Sequence, residues 1–354
     1  MMESNRMTQN QESYRTFRTP TRTGAAALAL FSVLAGCTSS SPSNEEDAPG
    51  ELSSEQVTEL QALARSPENL GIELELLEEG GLRISRVRGI SEGEIISADW
   101  RPDSLPIPTF QAELNGKSIH TIVATGSSAT LLSSSAAVRY RVTPVGLPLV
   151  RLEDHYNRLP LGSFLGIARV FNAAGSKVFR VPVGIMNRQA FPYAEQGLSL
   201  PDPLVLGDDF LRSFTFVSFD RSANLIQMST AGSYRPVFKA LVATLPLSRK
   251  LSRPHVSAKI DEKLWVRALL ASEWNGGLWL SRADSESLWP GDLDDGPKEV
   301  KVGIGERVLE NVPVTIGEAG EFGDSKSAVL GALLFDAYRV TIDYSVLKVY
   351  LEKI

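Results

Sequence analysis

Two stretches of this chain carry one pattern, and that repetition constrains the fold more than any other feature. Val205-Leu206-Gly207-Asp208-Asp209-Phe210-Leu211 runs on to Phe214-Thr215-Phe216 and Asp220, with Leu225-Ile226-Gln227-Met228 after it. Near the end, Val329-Leu330-Gly331-Ala332-Leu333-Leu334-Phe335 runs on to Tyr338-Arg339-Val340 and Asp343, then Leu347-Lys348-Val349-Tyr350. From the glycine to the aspartate is 13 residues in the first copy and 12 in the second. Each copy reads as a buried strand, a glycine where the backbone packs closely, a short helix and a hairpin. Each also lies downstream of an alternating hairpin, so the pair predicts a duplicated lobe.

Composition agrees with a strand-rich body. A chain of 354 residues with 28 glycines and 20 prolines among 43% hydrophobic residues suits a turn-rich globular protein, not a helical bundle. Its net charge of −6 offers no basic surface for nucleic acid. Beyond residue 40, no run is apolar for long enough to span a bilayer.

The first 36 residues read as an address. Arg15, Arg18 and Arg22 precede a compact apolar core, Gly24 to Val33, that is too short for a transmembrane helix. The core ends in Leu34-Ala35-Gly36-Cys37, which resembles the bacterial lipobox, whose cysteine is lipidated and becomes the first mature residue. The basic region is long, which makes Met7 an alternative start. Thr38 stands where the resemblance would place an inner-membrane retention aspartate, so the expected destination is the outer membrane, facing the periplasm. Cys37 is the only cysteine, which excludes an intrachain disulfide. Residues 37–50 are Ser, Pro, Asn and acidic residues, expected to form a flexible tether.

Residues 51–104 read as a small helix-plus-hairpin unit. Ser53 with Gln56 is placed to cap a helix carrying Val57, Leu60, Leu63 and Ala64, stopped near Pro67. Ile72, Leu74 and Leu76 then alternate with Glu, turn at Gly80-Gly81 and return as Leu82, Ile84 and Val87.

The stretch Pro108 to Ser133 opens the main body. Phe110, Ala112 and Leu114 alternate with polar residues and lead into Asn115-Gly116, a dipeptide suited to a tight hairpin turn. The chain returns through Ile119, Thr121, Ile122 and Val123 before the small residues Ala124-Thr125-Gly126-Ser127-Ser128 break the run. On pattern alone this is a hairpin followed by a short helix.

Together these segments resemble retropepsin-like and pepsin-like aspartic proteases. Each lobe of that family has an Asp-Thr-Gly turn and a later apolar-apolar-Gly segment. Here Thr125-Gly126-Ser127 matches the turn, and Val205-Leu206-Gly207 and Val329-Leu330-Gly331 match the later segments. Leu149 to Met186 lies where such lobes carry a flap hairpin. The resemblance implies a mainly β protein with two closed, barrel-like lobes, residues 105–240 and 241–354. It also implies a cleft for an extended peptide or protein segment.

The same resemblance puts the chemistry in question. The family uses two facing carboxylates that share one proton, one acting as base and the other as acid. Ala124 stands at the first aspartate position and can do neither. In the second lobe, counting back nine residues from Ser281, as from Ser133 to Ala124, puts Ser272 there. Aligning instead from Ile260-Asp261-Glu262-Lys263 puts Leu270 there, so the position falls within Leu270–Ser272. Glu273 is the nearest carboxylate and reads as a solvent-facing turn residue, since one carboxylate cannot form the shared-proton pair. The expectation is a scaffold that persists without its reaction and binds peptide, with two alternatives: an unconventional peptidase, and a structural or carbohydrate-binding envelope lipoprotein.

Other constellations are thin. His120, His155 and His255 have no Glu or Cys at ligand spacing, so neither metal nor cofactor is expected. Ser127, Ser128 and Ser133 lack the strand–turn–helix setting of a hydrolase nucleophile. Asp208-Asp209 reads, by the same resemblance, as a helix start beside the site, and Asp292, Asp294 and Asp295 lack the spacing of a calcium loop. Trp265, Trp274, Trp279 and Trp289 read as core packing, or alternatively as an aromatic wall for a peptide or sugar.

Overall fold

The computed structural model describes residues 52–76, 82–85, 93–100, 106–146, 163–187, 200, 202–248, 253–291, 293, 298–317 and 327–354. All of them belong to one compact unit, Asp47–Ile354. The expected signal peptide, Cys37 and the tether lie outside the described residues, as do His155, Asp292, Asp294 and Asp295.

The chain begins with helix α1 (Ser54–Leu63), the short helix α2 (Pro67–Leu70) and the paired strands β1 (Glu73–Leu76) and β2 (Leu82–Ser85). Ser53 and Gln56 form the reciprocal cap expected of them, each side chain bonding the other's backbone N–H. Pro67 does not simply stop α1; it opens α2 at the first helical position, where its missing N–H costs nothing. Helix α1 is held against the next lobe by buried Leu60, by Gln56 Nε2 donating to Ser134 Oγ at 2.8 Å, and by Arg65 N donating to Pro144 O at 3.0 Å.

The body is mainly β and contains two closed six-stranded barrels of the same topology. The first uses β4 (Thr109–Leu114), β5 (Lys117–Val123), β6 (Leu131–Ser133), β8 (Phe164–Ala173), β9 (Ser176–Met186) and β10 (Leu204–Leu206). Helix α3 (Ser134–Arg139) and the two-residue strand β7 (Thr143–Pro144) follow β6, and helix α4 (Asp208–Leu211) follows β10. Strands β11 (Phe216–Asp220), β12 (Leu225–Ser229) and β13 (Leu241–Pro246) lead to the second barrel. That barrel comprises β14 (His255–Ile260), β15 (Leu264–Leu270), β16 (Leu278–Ser281), β17 (Lys298–Ile304), β18 (Arg307–Gly317) and β19 (Ser327–Leu330). Helix α5 (Arg282–Leu288) follows β16, and α6 (Ala332–Ala337), β20 (Tyr338–Asp343) and β21 (Lys348–Lys353) complete the chain.

The strand pairings repeat between the two barrels. Strand β10 runs parallel to β5 and antiparallel to β6, just as β19 runs parallel to β15 and antiparallel to β16. The parallel pair β6–β9 has its counterpart in β16–β18. Strand β4 closes the first barrel on β8, and β14 closes the second on β17.

A third sheet, ordered β13-β21-β20-β11-β12-β3, joins the halves and reads the same from either end. Its last member is β3 (Ile95–Asp99), which pairs with β12 as β13 pairs with β21. Residues 95–99 therefore belong to the shared sheet and not to a hairpin unit that precedes it. The inner face, with Val217, Phe219, Ile226, Val340, Ile342 and Leu351, continues into the barrel cores as one hydrophobic cluster. Phe219 stands edge-on to Trp100 and to Phe335, with ring centroids at 6.5 and 5.2 Å.

Local sequence explains the first barrel's lead hairpin. Asn115 and Gly116 adopt φ of 51° and 80°, the left-handed pair that a two-residue turn between twisted strands requires. Residues 164–186, read above as part of a flap, form barrel walls β8 and β9; residues 147–162 lie outside the described residues.

Candidate functional site

Strands β5 and β15 each end in a tight turn, and the two turns meet between the barrels. In the first, Ala124 N donates to Leu206 O at 2.9 Å, Ser127 N to Ala124 O at 3.2 Å, and Asp208 N to Ser127 O at 2.8 Å. In the second, Ala271 N donates to Leu330 O at 3.0 Å, Trp274 N to Ala271 O at 3.1 Å, and Ala332 N to Trp274 O at 2.7 Å. Each turn is thus laced to the apolar-apolar-Gly segment of its own barrel. Gly207 and Gly331 are needed there. A Cβ on Gly207 would lie 2.2 Å from Ala129 O, and one on Gly331 would lie 2.4 Å from Trp274 O.

Across the boundary the turns hold each other reciprocally. Thr125 Oγ1 donates to Leu270 O at 2.6 Å and accepts from Ser272 N at 3.0 Å. Ser272 Oγ donates to Val123 O at 2.6 Å and accepts from Thr125 N at 3.1 Å. Both residues are fully buried, so every one of these backbone groups depends on its protein partner.

This pairing settles the register. Ser272 mirrors Thr125, so Ala271 mirrors Ala124, Glu273 mirrors Gly126 and Trp274 mirrors Ser127. The position symmetric with Ala124 is Ala271, one residue before the Ser272 expected from counting. The count went astray because Ala271 precedes Ser281 by ten residues, whereas Ala124 precedes Ser133 by nine. The aligned triplets Val123-Ala124-Thr125 and Leu270-Ala271-Ser272 carried the available signal, an apolar residue, an alanine and a hydroxyl.

The turns differ at their third residue. Glu273 is 4% exposed and does not face solvent, contrary to the sequence reading. Its Oε2 accepts from Gly126 N at 3.1 Å, across the boundary. From the same lobe, Arg253 Nη1 donates to Gly126 O at 2.8 Å, so both sides of Gly126 are gripped. A Cβ on Gly126 would lie 2.4 Å from Glu273 Oε1 and 2.7 Å from the Ala271 methyl, so the carboxylate fits only opposite glycine. Burial pushes the Glu273 pKa up to about 7, opposed by its backbone hydrogen bonds and by the Arg253 cation. Buried His255, two residues from Arg253, is pushed the other way, to about 4, chiefly by desolvation.

The remaining candidates fall into structural roles. Gly207 precedes α4, whose first residues are Asp208 and Asp209. Asp208 bonds Arg212 and accepts from Tyr344 Oη at 3.0 Å, and burial raises it to about 6. Asp209 accepts from Thr130 Oγ1 at 2.8 Å and is raised by burial. Ser127 Oγ donates to Ala129 O at 2.8 Å, and Ser133 caps α3. Of the four clustered tryptophans, Trp279 is buried, Trp274 and Trp289 are half-buried, and Trp265 is 68% exposed on β15, with Lys259 over its ring. Among the described residues, no group of three His, Cys, Asp or Glu is placed to hold a metal ion. Arg253 escaped the sequence reading, because nothing local marks an arginine whose partner lies 127 residues away.

No protein-family model matches the chain, and no curated protein matches it.

Proposed function

We propose that this chain is an envelope lipoprotein, lipidated at Cys37, whose two-barrel domain is an aspartic-protease-like scaffold that binds an extended peptide or protein segment without cleaving it. The observation that carries the reading is the pair Ala124 and Ala271. They stand at symmetric positions of two turns locked by Thr125 and Ser272, where the resemblance calls for two carboxylates. A methyl neither binds a lytic water nor shares a proton, so the frame is retained and the acid–base pair is not. The partner is expected to pair with backbone in strand fashion, a mode that needs no reacting group.

A second reading has one observation in its favour. Glu273 is a buried carboxylate at the lobe junction with a pKa near 7, a range in which a group can act as acid or base. Its Oε2 is already taken by Gly126 N–H, and it stands without a second carboxylate in the two turns, which favours the binding role.

The test incubates the Asp47–Ile354 unit with a diverse peptide mixture between about pH 3 and 7, across the carboxylate range. Retention of peptides without cleavage is expected. Cleavage that disappears in Glu273→Gln would overturn the proposal in favour of the second reading. Metabolic labelling with palmitate, lost in Cys37→Ser, tests the anchor separately.

A further inference from the structure

The outer face of the shared sheet carries a strap, residues 231–240, whose construction has no role in the site above. Three ties fix it. Tyr234 N donates to Asp343 Oδ2 at 2.7 Å, Val237 N donates to Glu352 Oε1 at 2.6 Å, and Lys353 N donates to Ala240 O at 2.9 Å. The Tyr234 hydroxyl also bonds Glu352, and its ring packs against Phe216 and Tyr350, with centroids at 5.1 and 5.7 Å. Between the second and third ties the chain turns, with Ala240 N donating to Val237 O at 2.8 Å.

That fixed turn points its apolar side chains at water. Phe238 is 90% exposed and Val237 is 53% exposed. Backbone ties on either side fix the turn that presents Phe238 to water. Asp343 and Glu352 are buried and turned inward on the strap, while Arg235 and Lys239 are exposed on either side of the apolar pair. The charges this turn offers outward are cationic, on a chain whose net charge is −6.

We propose that the Val237-Phe238 turn is a docking point for an anionic phospholipid surface. An aromatic ring with a neighbouring aliphatic group enters the headgroup–acyl boundary, and flanking Arg and Lys keep their charges among the phosphates. A fluid bilayer accepts a single protruding point. A stable protein interface needs about 800 Å² per partner, far more than two side chains supply. The lipid at Cys37, which belongs to the functional proposal above, would hold the domain near such a surface and raise its effective concentration there.

The test uses the Asp47–Ile354 unit, which lacks Cys37, so its outcome does not depend on lipidation. Co-sedimentation is measured at low salt with vesicles of phosphatidylethanolamine and phosphatidylglycerol, and with vesicles of phosphatidylcholine alone. Binding to the anionic vesicles, weakened by salt, is expected. Phe238→Ser should lower the partition coefficient about tenfold or more, from the lost burial of a large apolar side chain. Lys239→Glu should lower it on anionic vesicles alone, by about fivefold for the lost cation and further for the added anion. Both positions are exposed, and unchanged circular dichroism would confirm folding. Absence of binding to anionic vesicles, or equal partition of parent and Phe238→Ser, would overturn the proposal.

Discussion

Thr125→Val keeps the outline of the side chain and deletes one oxygen that spans the lobe boundary twice. That oxygen accepts from Ser272 N at 3.0 Å and donates to Leu270 O at 2.6 Å. The site is 0% exposed, so water cannot replace it. Leaving a buried donor or acceptor unsatisfied costs about 1–3 kcal/mol, so the two orphaned groups set an expected loss of about 2–6 kcal/mol. Thr125→Ser keeps the hydroxyl and removes only a methyl, for about 1 kcal/mol. Thr58→Val is the control. Its hydroxyl donates to Ser54 O at 2.7 Å on an exposed helix face, and its loss should change stability by no more than about 0.5 kcal/mol. The assay is urea unfolding of the Asp47–Ile354 unit, followed by tryptophan fluorescence and circular dichroism, whose transitions must coincide before free energies are compared. If Thr125→Val falls within about 0.5 kcal/mol of the parent, or matches Thr125→Ser, the reciprocal bonds do not fasten the lobes.

Three further outcomes are expected. Glu273 has a folded pKa of about 7 against an ordinary 4.5, so its stabilising contribution is whole below about pH 4.5 and is lost as pH rises through about 7. Parent minus Glu273→Gln unfolding free energies should therefore fall by up to about 3 kcal/mol between those limits, and a flat difference would refute the burial argument. Gly207→Ala would drive a Cβ to 2.2 Å from Ala129 O, and backbone must move, so thermal and urea unfolding should show a loss of about 1–3 kcal/mol or more. The triple variant Ala124→Asp, Ala271→Asp, Glu273→Gly supplies two facing carboxylates and clears the group between the turns. Peptide cleavage confined to acid pH is expected of it but not of Ala124→Asp alone, and cleavage by the single variant would refute the need for a pair.

Much of the architecture was legible because it is written in local chemistry. Asn115-Gly116 demands its turn, Ser53 and Gln56 cap their helix, and the glycines at 207 and 331 mark the same packing constraint twice. What escaped was everything set by distant partners. Strand β3 looks like a short alternating segment of no particular allegiance, and its place beside β12 depends on residues more than 100 positions later. The Ser272 register failed through one inserted residue in a turn, a place where length varies without disturbing the strands. Glu273 looked like a solvent-facing residue because charged residues at turns usually are. Its burial depends on the absent side chain of Gly126, 147 residues earlier, which no local pattern encodes.

The departure from symmetry at that point bears on function more than the symmetry does. The reciprocal bonds of Thr125 and Ser272 make no demand for a charged third residue, and the first copy has Gly126, where a Cβ would already lie 2.7 Å from the Ala271 methyl. The second copy has a glutamate, which accepts from Gly126 N while Arg253 donates to the carbonyl oxygen of the same residue. A buried carboxylate is costly and persists where surrounding bonds compensate for it. Here those bonds run from one lobe to the other, so Glu273 and Arg253 add a one-sided clasp to a reciprocal one. On the reading proposed above, the centre of the molecule is then specialised for holding two lobes in a fixed relation. A domain that binds an extended segment between its lobes needs that rigidity, and it needs no reacting pair at Ala124 and Ala271.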